Sequence, residues 1–126
     1  MARIVIVEDQ RIIARDVEQR LRRLGHAVCG VAASGQAAIA LVADTRPDVV
    51  LMDLRLEGAM SGVEAGIEIS RRFGTPLIFT TGESWDPATH GLPADKTRYL
   101  TKPYHTAELQ RAIGSLRPDL PAVARG

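Results

Sequence analysis

The stretch that decides the fold is Val49-Val50-Leu51-Met52-Asp53, four apolar residues closed by a carboxylate. A short run that is apolar throughout is typical of a strand buried on both faces of a parallel sheet. An earlier run of β-branched residues, Ile4–Val7, also ends in acids, Glu8 and Asp9. The sequence therefore predicts two buried strands that deliver carboxylates at their C-terminal ends.

Further apolar runs alternate with segments of helical period along the rest of the chain. Between the two acidic strand ends, Ile13, Val17, Leu21 and Leu24 are spaced by four, four and three residues, which is typical of a helix with one buried face, and Gly25 ends it. The other predicted strands are Val28–Ala32, Leu77–Thr80 and Tyr99–Leu100, and the other predicted helices are one capped by Ser34, Val63–Phe73 and one capped by Thr106. This alternation predicts an α/β doubly wound sheet with helices on both faces.

Two segments interrupt the alternation. A fourth helix is expected between residues 84 and 97, but Pro87, Gly91 and Pro93 make it short or irregular. Trp85, the single tryptophan, falls in this segment and is either core filler or part of an interface. Residues 118–126 hold two prolines and few apolar side chains, so we expect a domain of residues 1–117 followed by a flexible C-terminal tail.

Composition excludes several classes of protein. The 126 residues fit one domain, and 16 basic against 15 acidic side chains give no basic footprint for nucleic acid. No apolar run is long enough to span a membrane, and the N-terminus does not resemble a secretory signal, so we expect a cytoplasmic protein. Cys29 is expected to be a buried thiol. The three histidines lack metal-ligand spacing and are predicted at the surface or in loops.

Polar side chains gather where the predicted strands end. Glu8-Asp9, Asp53, Thr81-Gly82 and Lys102-Pro103 follow four different strands, and ligands of open α/β sheets bind at that edge. Three carboxylates in a small space repel one another, which a hard divalent cation such as Mg²⁺ relieves. A lysine and a hydroxyl nearby suit a phosphoryl group, and a carboxylate can act as the nucleophile that forms an acyl phosphate.

This set of residues, in this order at strand ends, resembles the response-regulator receiver domain over roughly residues 3–116. The resemblance implies a flavodoxin-like, five-stranded parallel sheet in the order 2-1-3-4-5. It implies that Asp53 is phosphorylated from a phosphohistidine and that Thr81, Gly82 and Lys102 bind the phosphoryl group. It further implies Mg²⁺ contacts from Glu8, Asp9, Asp53 and the backbone carbonyl of Arg55, a cis bond before Pro103, and a switch formed by Thr81 and Tyr99.

The loops carry finer resemblances and departures. Asp53-Leu54-Arg55-Leu56 with Gly62-Val63-Glu64-Ala65 is similar to receivers that work with HWE-type histidine kinases, and Phe79-Thr80-Thr81-Gly82 partly matches the F-A-T-G type. The segment 56–62 lacks the proline usual in the family and is one residue longer, so we expect a looser loop. Arg55 and Glu83 would flank the phosphoryl group, and either set the dephosphorylation rate or form an exposed pair of little weight.

The implied function is a two-component response regulator that catalyses only its own phosphorylation and dephosphorylation. Its expected partners are a histidine kinase or phosphotransfer protein and a downstream regulator in trans, unless it acts as a phosphate sink. We expect a monomer or weak homodimer. Arg11, Ile12 and Asp16 are predicted to face the kinase, because Ile12 lies off the core stripe.

Rival functions are excluded by missing residues or remain open. No Gly-rich loop of a P-loop nucleotidase or of a dinucleotide-binding site occurs, and an aspartate-based phosphatase needs an acid where Arg55 stands. The remaining alternative is a pseudo-receiver that binds a partner without being phosphorylated.

Overall fold

Five parallel strands form one sheet in the order β2-β1-β3-β4-β5, as predicted. The computed structural model describes residues 1–56 and 58–120. The strands are β1 (Arg3–Val7), β2 (Ala27–Ala32), β3 (Val49–Asp53), β4 (Leu77–Thr81) and β5 (Thr97–Thr101), and the helices are α1 (Arg11–Arg23), α2 (Gly35–Thr45), α3 (Gly62–Phe73) and α4 (Thr106–Leu116). Every neighbouring pair of strands is parallel. The side chains of successive strand ends therefore meet at one edge.

The two faces of the sheet bury separate apolar clusters. Alternate residues of β1 point to opposite faces, so Ile4 and Ile6 pack with α1 and α4 while Val5 and Val7 pack with α2 and α3. Every residue of β3 is buried, as expected for a central strand covered on both sides. This covering keeps Asp53 in a fixed position at the end of the strand.

No α-helix covers the sheet between β4 and β5 in the part of the chain that is described. Two short 3₁₀ turns, Pro87–His90 and Ala94–Lys96, replace the crossover helix, in agreement with the predicted irregularity. The segment is instead fixed by apolar side chains: Leu92 is buried, and the Trp85 ring lies 4.8 Å from that of Phe79 between ring centroids. Trp85 thus serves as core filler on the α3 face.

Several predicted boundaries shift by a residue or more. The cap of α4 is His105, and Thr106 is its first helical residue, because the Glu108 carboxylate accepts a hydrogen bond from the His105 backbone N–H at 3.0 Å. Helix α3 begins at Gly62 after the Ser61 cap. Strand β5 is five residues long, since pairing with β4 extends the short apolar run at both ends.

His26 lies in the connection between α1 and β2, in agreement with the prediction of a surface or loop histidine, but it is not at the surface. It is buried, its Nδ1 accepts a hydrogen bond from the Ala2 N–H at 3.0 Å, and its Nε2 lies 2.7 Å from Gln110 Oε1. The ring therefore ties the start of β1 to α4. Cys29, predicted to be buried, is only half-buried because β2 is an edge strand.

The C-terminal residues are described only in part. Arg117 donates hydrogen bonds to Asp48 at 2.7 Å and to Asp119 at 2.9 and 2.8 Å, and Leu120 packs against the cluster beneath α4. Residues 121–126 lie outside the described residues, so the flexible tail stays a prediction. No helix among the described residues is long and apolar enough to cross a membrane.

We expect His26→Ala to lower the free energy of unfolding by about 2–3 kcal/mol, because it removes two hydrogen bonds and leaves the buried Ala2 N–H without a partner. Urea denaturation followed by circular dichroism measures this loss. The matched control is His90→Ala, which removes one exposed hydrogen bond from the Trp85 indole and leaves no buried group without a partner, so the urea midpoint should fall much less. Equal midpoints for the two variants would contradict the structural role of His26.

Candidate functional site

Three carboxylates from two strand ends meet at the C-terminal edge of the sheet. Glu8 and Asp9 follow β1, Asp53 ends β3, and each offers an oxygen within 4.8 Å of the oxygens of the other two. Strands β1 and β3 are neighbours in register, with Val7 beside Met52, and this pairing brings acids 45 residues apart in sequence (8 and 53) together. The predicted acid cluster is therefore present in the structure.

Asp53 is buried and both of its carboxylate oxygens accept hydrogen bonds. The Arg55 backbone N–H donates to Oδ1 at 3.0 Å, and Lys102 Nζ donates to Oδ2 at 3.2 Å. Lys102 Nζ also lies 3.9 Å from Glu8 Oε1. One ammonium thus faces two carboxylates, which leaves the cluster with excess negative charge.

Burial and the neighbouring carboxylates make ionisation of Glu8 unfavourable. Its side chain is 5% exposed, and burial raises the pKa of its carboxyl group to about 7, with the nearby charge of Asp53 acting in the same direction. The backbone N–H of Gln10 donates to Oε2 at 3.0 Å and opposes this rise. A buried carboxyl group with a pKa this high is poised to exchange its proton for a cation.

The loop after Asp53 is held by a glycine at the start of α3. The Gly62 N–H donates to the Leu54 carbonyl oxygen at 3.3 Å, and a Cβ at position 62 would collide with the Asp53 carbonyl oxygen. Only glycine permits this approach of two backbones. Gly62 therefore holds the backbone of Leu54, the residue that follows Asp53, in place.

Strand β4 pairs with β3 and ends in Thr81, and β5 pairs with β4 and is followed by Lys102. Thr81 is buried, its Oγ1 accepts a hydrogen bond from the Glu83 N–H at 3.1 Å, and its carbonyl oxygen accepts one from the Lys102 N–H at 2.7 Å. Gly82 is exposed, with no atom near the place of a Cβ. The peptide bond between Lys102 and Pro103 is cis.

Tyr99 lies away from this cluster. It is 42% exposed, and the edge of its ring faces Trp85 at 6.4 Å between centroids. The indole N–H of Trp85 in turn donates to His90 Nε2 at 3.2 Å. Tyr99 is therefore in an outward orientation, in contact with the irregular segment.

A cavity of about 260 Å³ opens over Asp53. It is lined by Asp9, Gln10, Asp53, Arg55, Leu56, Gly82 and Lys102. At its mouth Arg55 and Glu83 form an ion pair of 3.0 Å, with their side chains 81% and 74% exposed. The sequence prediction placed Arg55 and Glu83 here but missed Gln10, whose only signal was its position next to the acid pair.

A second cavity of about 180 Å³ lies between α1 and the loop that joins β5 to α4. Glu8, Asp53 and Lys102 also line it, together with Arg20 and Tyr104. The Arg20 guanidinium lies 5.8 Å from the centre of the Tyr104 ring and pairs with Asp16 at 3.1 Å. Burial raises the pKa of the Tyr104 hydroxyl. This cavity was missed because no local pattern joins its lining residues.

The three residues predicted to face a kinase lie on α1. Arg11 is exposed, Ile12 is 87% exposed, and Asp16 is exposed and paired with Arg20. Ile12 is thus a large apolar side chain left in water on the first turn of α1. Single exposed apolar residues are common, so exposure alone assigns it no role.

Comparisons with known proteins agree with this geometry. The family model described as "Response regulator receiver domain" matches residues 4–114. The transcriptional regulatory protein PdtaR of Mycobacterium tuberculosis is 32% identical over 112 residues, which are 88% of this chain and 54% of PdtaR. The chain spans about half the length of the curated relatives it matches.

Two solved structures are similar over most of the chain. The response regulator PhyR from Brucella abortus shares 34% identity with a TM-score of 0.73, over 91% of this chain and 46% of PhyR. The receiver domain of a sensor histidine kinase from Pseudomonas aeruginosa shares 31% identity with a TM-score of 0.76, over 90% and 94% of the two chains. That structure holds a magnesium ion coordinated in its active site cleft.

Proposed function

The chain belongs to the response-regulator receiver family, and from this premise we propose that Asp53 accepts a phosphoryl group from a phosphohistidine on a partner protein. The observation that carries the proposal is the cluster of three carboxylates within 4.8 Å, with Lys102 Nζ 3.2 Å from Asp53. Three adjacent carboxylates repel one another and do not stabilise a fold. A phosphoryl-transfer site, by contrast, needs them to hold a cation.

The donors present fit Mg²⁺. The metal would be held by Glu8, Asp9, Asp53 and the backbone carbonyl of Arg55, all of which supply the oxygen ligands that this hard cation prefers. Burial, followed by the nearby charge of Asp53, raises the pKa of the Glu8 carboxyl group, and a bound cation would favour its ionised form. When bound, Mg²⁺ would neutralise charge on the transferring group.

The chain's own residues would carry out the transfer. A carboxylate oxygen of Asp53 attacks phosphorus, the phosphorus–nitrogen bond to the donor imidazole breaks, and its electron pair stays on the imidazole nitrogen. Lys102 donates to one phosphoryl oxygen, and the Thr81 hydroxyl and the Gly82 N–H donate to others. Lys102 Nζ, which lies 3.2 Å from Asp53 Oδ2, is close enough to contact the incoming phosphoryl group as well.

Phosphorylation would then act as a switch. The added charge of about −1.5 to −2 draws Lys102 and Thr81 inward. Because the Thr81 hydroxyl now accepts from the Glu83 N–H, its movement frees the loop that leads to Trp85. Tyr99, which rests against Trp85, turns inward, and the changed surface is read by a downstream regulator in trans or serves only to drain a kinase of phosphate.

The test is Mg²⁺-dependent labelling of the purified chain with phosphoramidate, a small donor that carries the same phosphorus–nitrogen bond. We expect one phosphoryl group per chain, located on Asp53 by peptide mass spectrometry, and no labelling in EDTA. A chain that binds Mg²⁺ yet stays unlabelled by phosphoramidate and unaltered by beryllofluoride would instead be a pseudo-receiver.

We propose that α1 receives the phosphohistidine partner, with Arg11, Ile12 and Asp16 on the contact surface. Replacing Ile12 with alanine is expected to slow transfer from the cognate kinase by about ten-fold, since an apolar side chain buried at the centre of an interface contributes 1–2 kcal/mol or more. Labelling by phosphoramidate, which needs no docking, should stay within two-fold of the parent. If Ile12→Ala accepted phosphoryl groups from the kinase at the parental rate, Ile12 would not be part of the interface.

A further inference from the structure

The polar groups around the cavity over Asp53 differ in what they already contact. Lys102 contacts Asp53 and Glu8, and Arg55 is paired with Glu83. The side-chain amide of Gln10 makes no hydrogen bond with residues 1–56 or 58–120. Gln10 is also exposed, so its amide is available to whatever enters the cavity.

The amide of Gln10 is chemically different from its neighbours. Among the side chains that line the cavity, lysine and arginine only donate hydrogen bonds and ionised carboxylates only accept them. An amide does both, through its oxygen and its NH₂ group. A water molecule directed at a phosphoryl group needs a neighbour of this kind, which accepts from the water while donating to a phosphoryl oxygen.

The backbone fixes where Gln10 stands. Its N–H donates to Glu8 Oε2 at 3.0 Å, and its carbonyl oxygen accepts the first hydrogen bond of α1, from the Ala14 N–H at 3.0 Å. The residue is therefore held between a carboxylate of the acid cluster and the start of a helix. Only its side chain is free to turn over the cavity.

We propose that Gln10 is a positioning residue for hydrolysis of the phosphorylated protein, an inference that rests on the proposed function of Asp53. Gln10 Oε1 accepts a hydrogen bond from the attacking water, and Nε2 donates to a phosphoryl oxygen. The water oxygen bonds to phosphorus, the phosphorus–oxygen bond to Asp53 breaks, and the electron pair returns to the carboxylate. Both water protons leave on the dihydrogen phosphate ion.

This role separates hydrolysis from phosphoryl uptake. Uptake from a phosphorus–nitrogen donor involves no water, so removal of the amide should leave it unchanged. Hydrolysis should slow about five- to ten-fold when one directing side chain is lost. The side-chain amide of Gln10 thus sets the lifetime of the phosphorylated state, whereas Asp53, Lys102 and the bound cation form that state.

The test uses Gln10→Met, which keeps the length of the side chain and removes its donor and acceptor. The 126-residue chain is labelled with phosphoramidate and Mg²⁺, the donor is removed by desalting, and the decay of the label is followed by intact mass. We expect a five- to ten-fold slower decay, with the rate of uptake and the Mg²⁺ dependence within two-fold of the parent. Gln19→Met, on an exposed part of α1 away from the site, is the control and should decay at the parental rate.

Two results would overturn the inference while leaving the proposed function intact: parental decay in Gln10→Met, or equal slowing of its uptake and decay. Gln10→Glu gives a second measurement, because it keeps the acceptor and loses the donor. Decay in Gln10→Glu as fast as in the parent would also overturn the inference. A parent that never takes up the label would instead overturn the proposed function and this inference with it.

Discussion

An Asp53→Asn variant is expected to take up phosphoryl groups at least about a hundred-fold more slowly than the parent, since an amide oxygen is a far weaker nucleophile than a carboxylate. The substitution is nearly isosteric, and the amide oxygen can still accept the hydrogen bond that the Arg55 N–H donates to Asp53 Oδ1, while the NH₂ group would replace the oxygen that accepts from Lys102. The loss of uptake would therefore reflect chemistry and not misfolding. The measurement is the initial rate of labelling by phosphoramidate in saturating Mg²⁺.

The control for Asp53→Asn is Asp44→Asn, at an exposed position on α2 on the outer face of the domain. Asp44→Asn should label at the parental rate. The variants should also differ in stability without metal, because Asp53→Asn removes one of three crowded charges while Asp44→Asn removes none of them. Continued labelling of Asp53→Asn at another carboxylate, such as Asp9 or Glu8, would show that Asp53 is not the sole acceptor.

The apolar runs predicted the sheet well for a physical reason. A central parallel strand must be apolar on both faces, so Ile4–Val7 and Val49–Met52 have few alternatives in a chain of this size. The edge strand β5 has no such requirement, and only Tyr99-Leu100 of its five residues was predicted. Pairing with β4, a contact between distant segments, sets its true length.

The sequence predicted those residues of the site that lie at the C-terminal ends of strands. Asp53 and Thr81 end strands, Glu8, Asp9 and Lys102 follow them, and parallel order alone brings such residues to one edge. Gln10 and the cavity beside Tyr104 were missed because their significance depends on which side chains remain unpaired, and this becomes visible only in three dimensions.

The burial of His26 could not be predicted from local sequence either, because it depends on contacts with distant residues. Its partners, Ala2 and Gln110, are 24 and 84 residues away in sequence, and a histidine after a helix-ending glycine is usually in a loop. Neither the spacing nor the composition of the chain distinguishes a buried histidine with two partners from an exposed one. The irregular segment after β4, by contrast, was predicted, because proline and glycine restrict the backbone locally.

Replacing Glu8 with glutamine is expected to stabilise the metal-free protein at pH 8, although it removes a side chain of the site. The pKa of the Glu8 carboxyl group is about 7 in the folded protein against 4.5 for the ordinary group, so the folded state binds this proton more tightly than the unfolded state does. The stability that Glu8 contributes is therefore fully present below pH 4.5 and is lost as the pH rises to about 7. Glutamine does not ionise, and its oxygen can still accept from the Gln10 N–H.

The expected gain for Glu8→Gln in EDTA at pH 8 is about 2 kcal/mol, or about 5–10 °C in Tm, and it should shrink toward zero near pH 5. Thermal unfolding followed by circular dichroism at four pH values measures it, with Glu68→Gln, at a half-buried position on α3 outside the acid cluster, as the matched control. Millimolar Mg²⁺ should raise the Tm of the parent more than that of Glu8→Gln, because the cation replaces the proton that Glu8 would otherwise hold. A pH profile of Glu8→Gln parallel to that of the parent would mean that the pKa of the Glu8 carboxyl group is not raised in the folded protein. The electrostatic argument for a cation at this position would then fail.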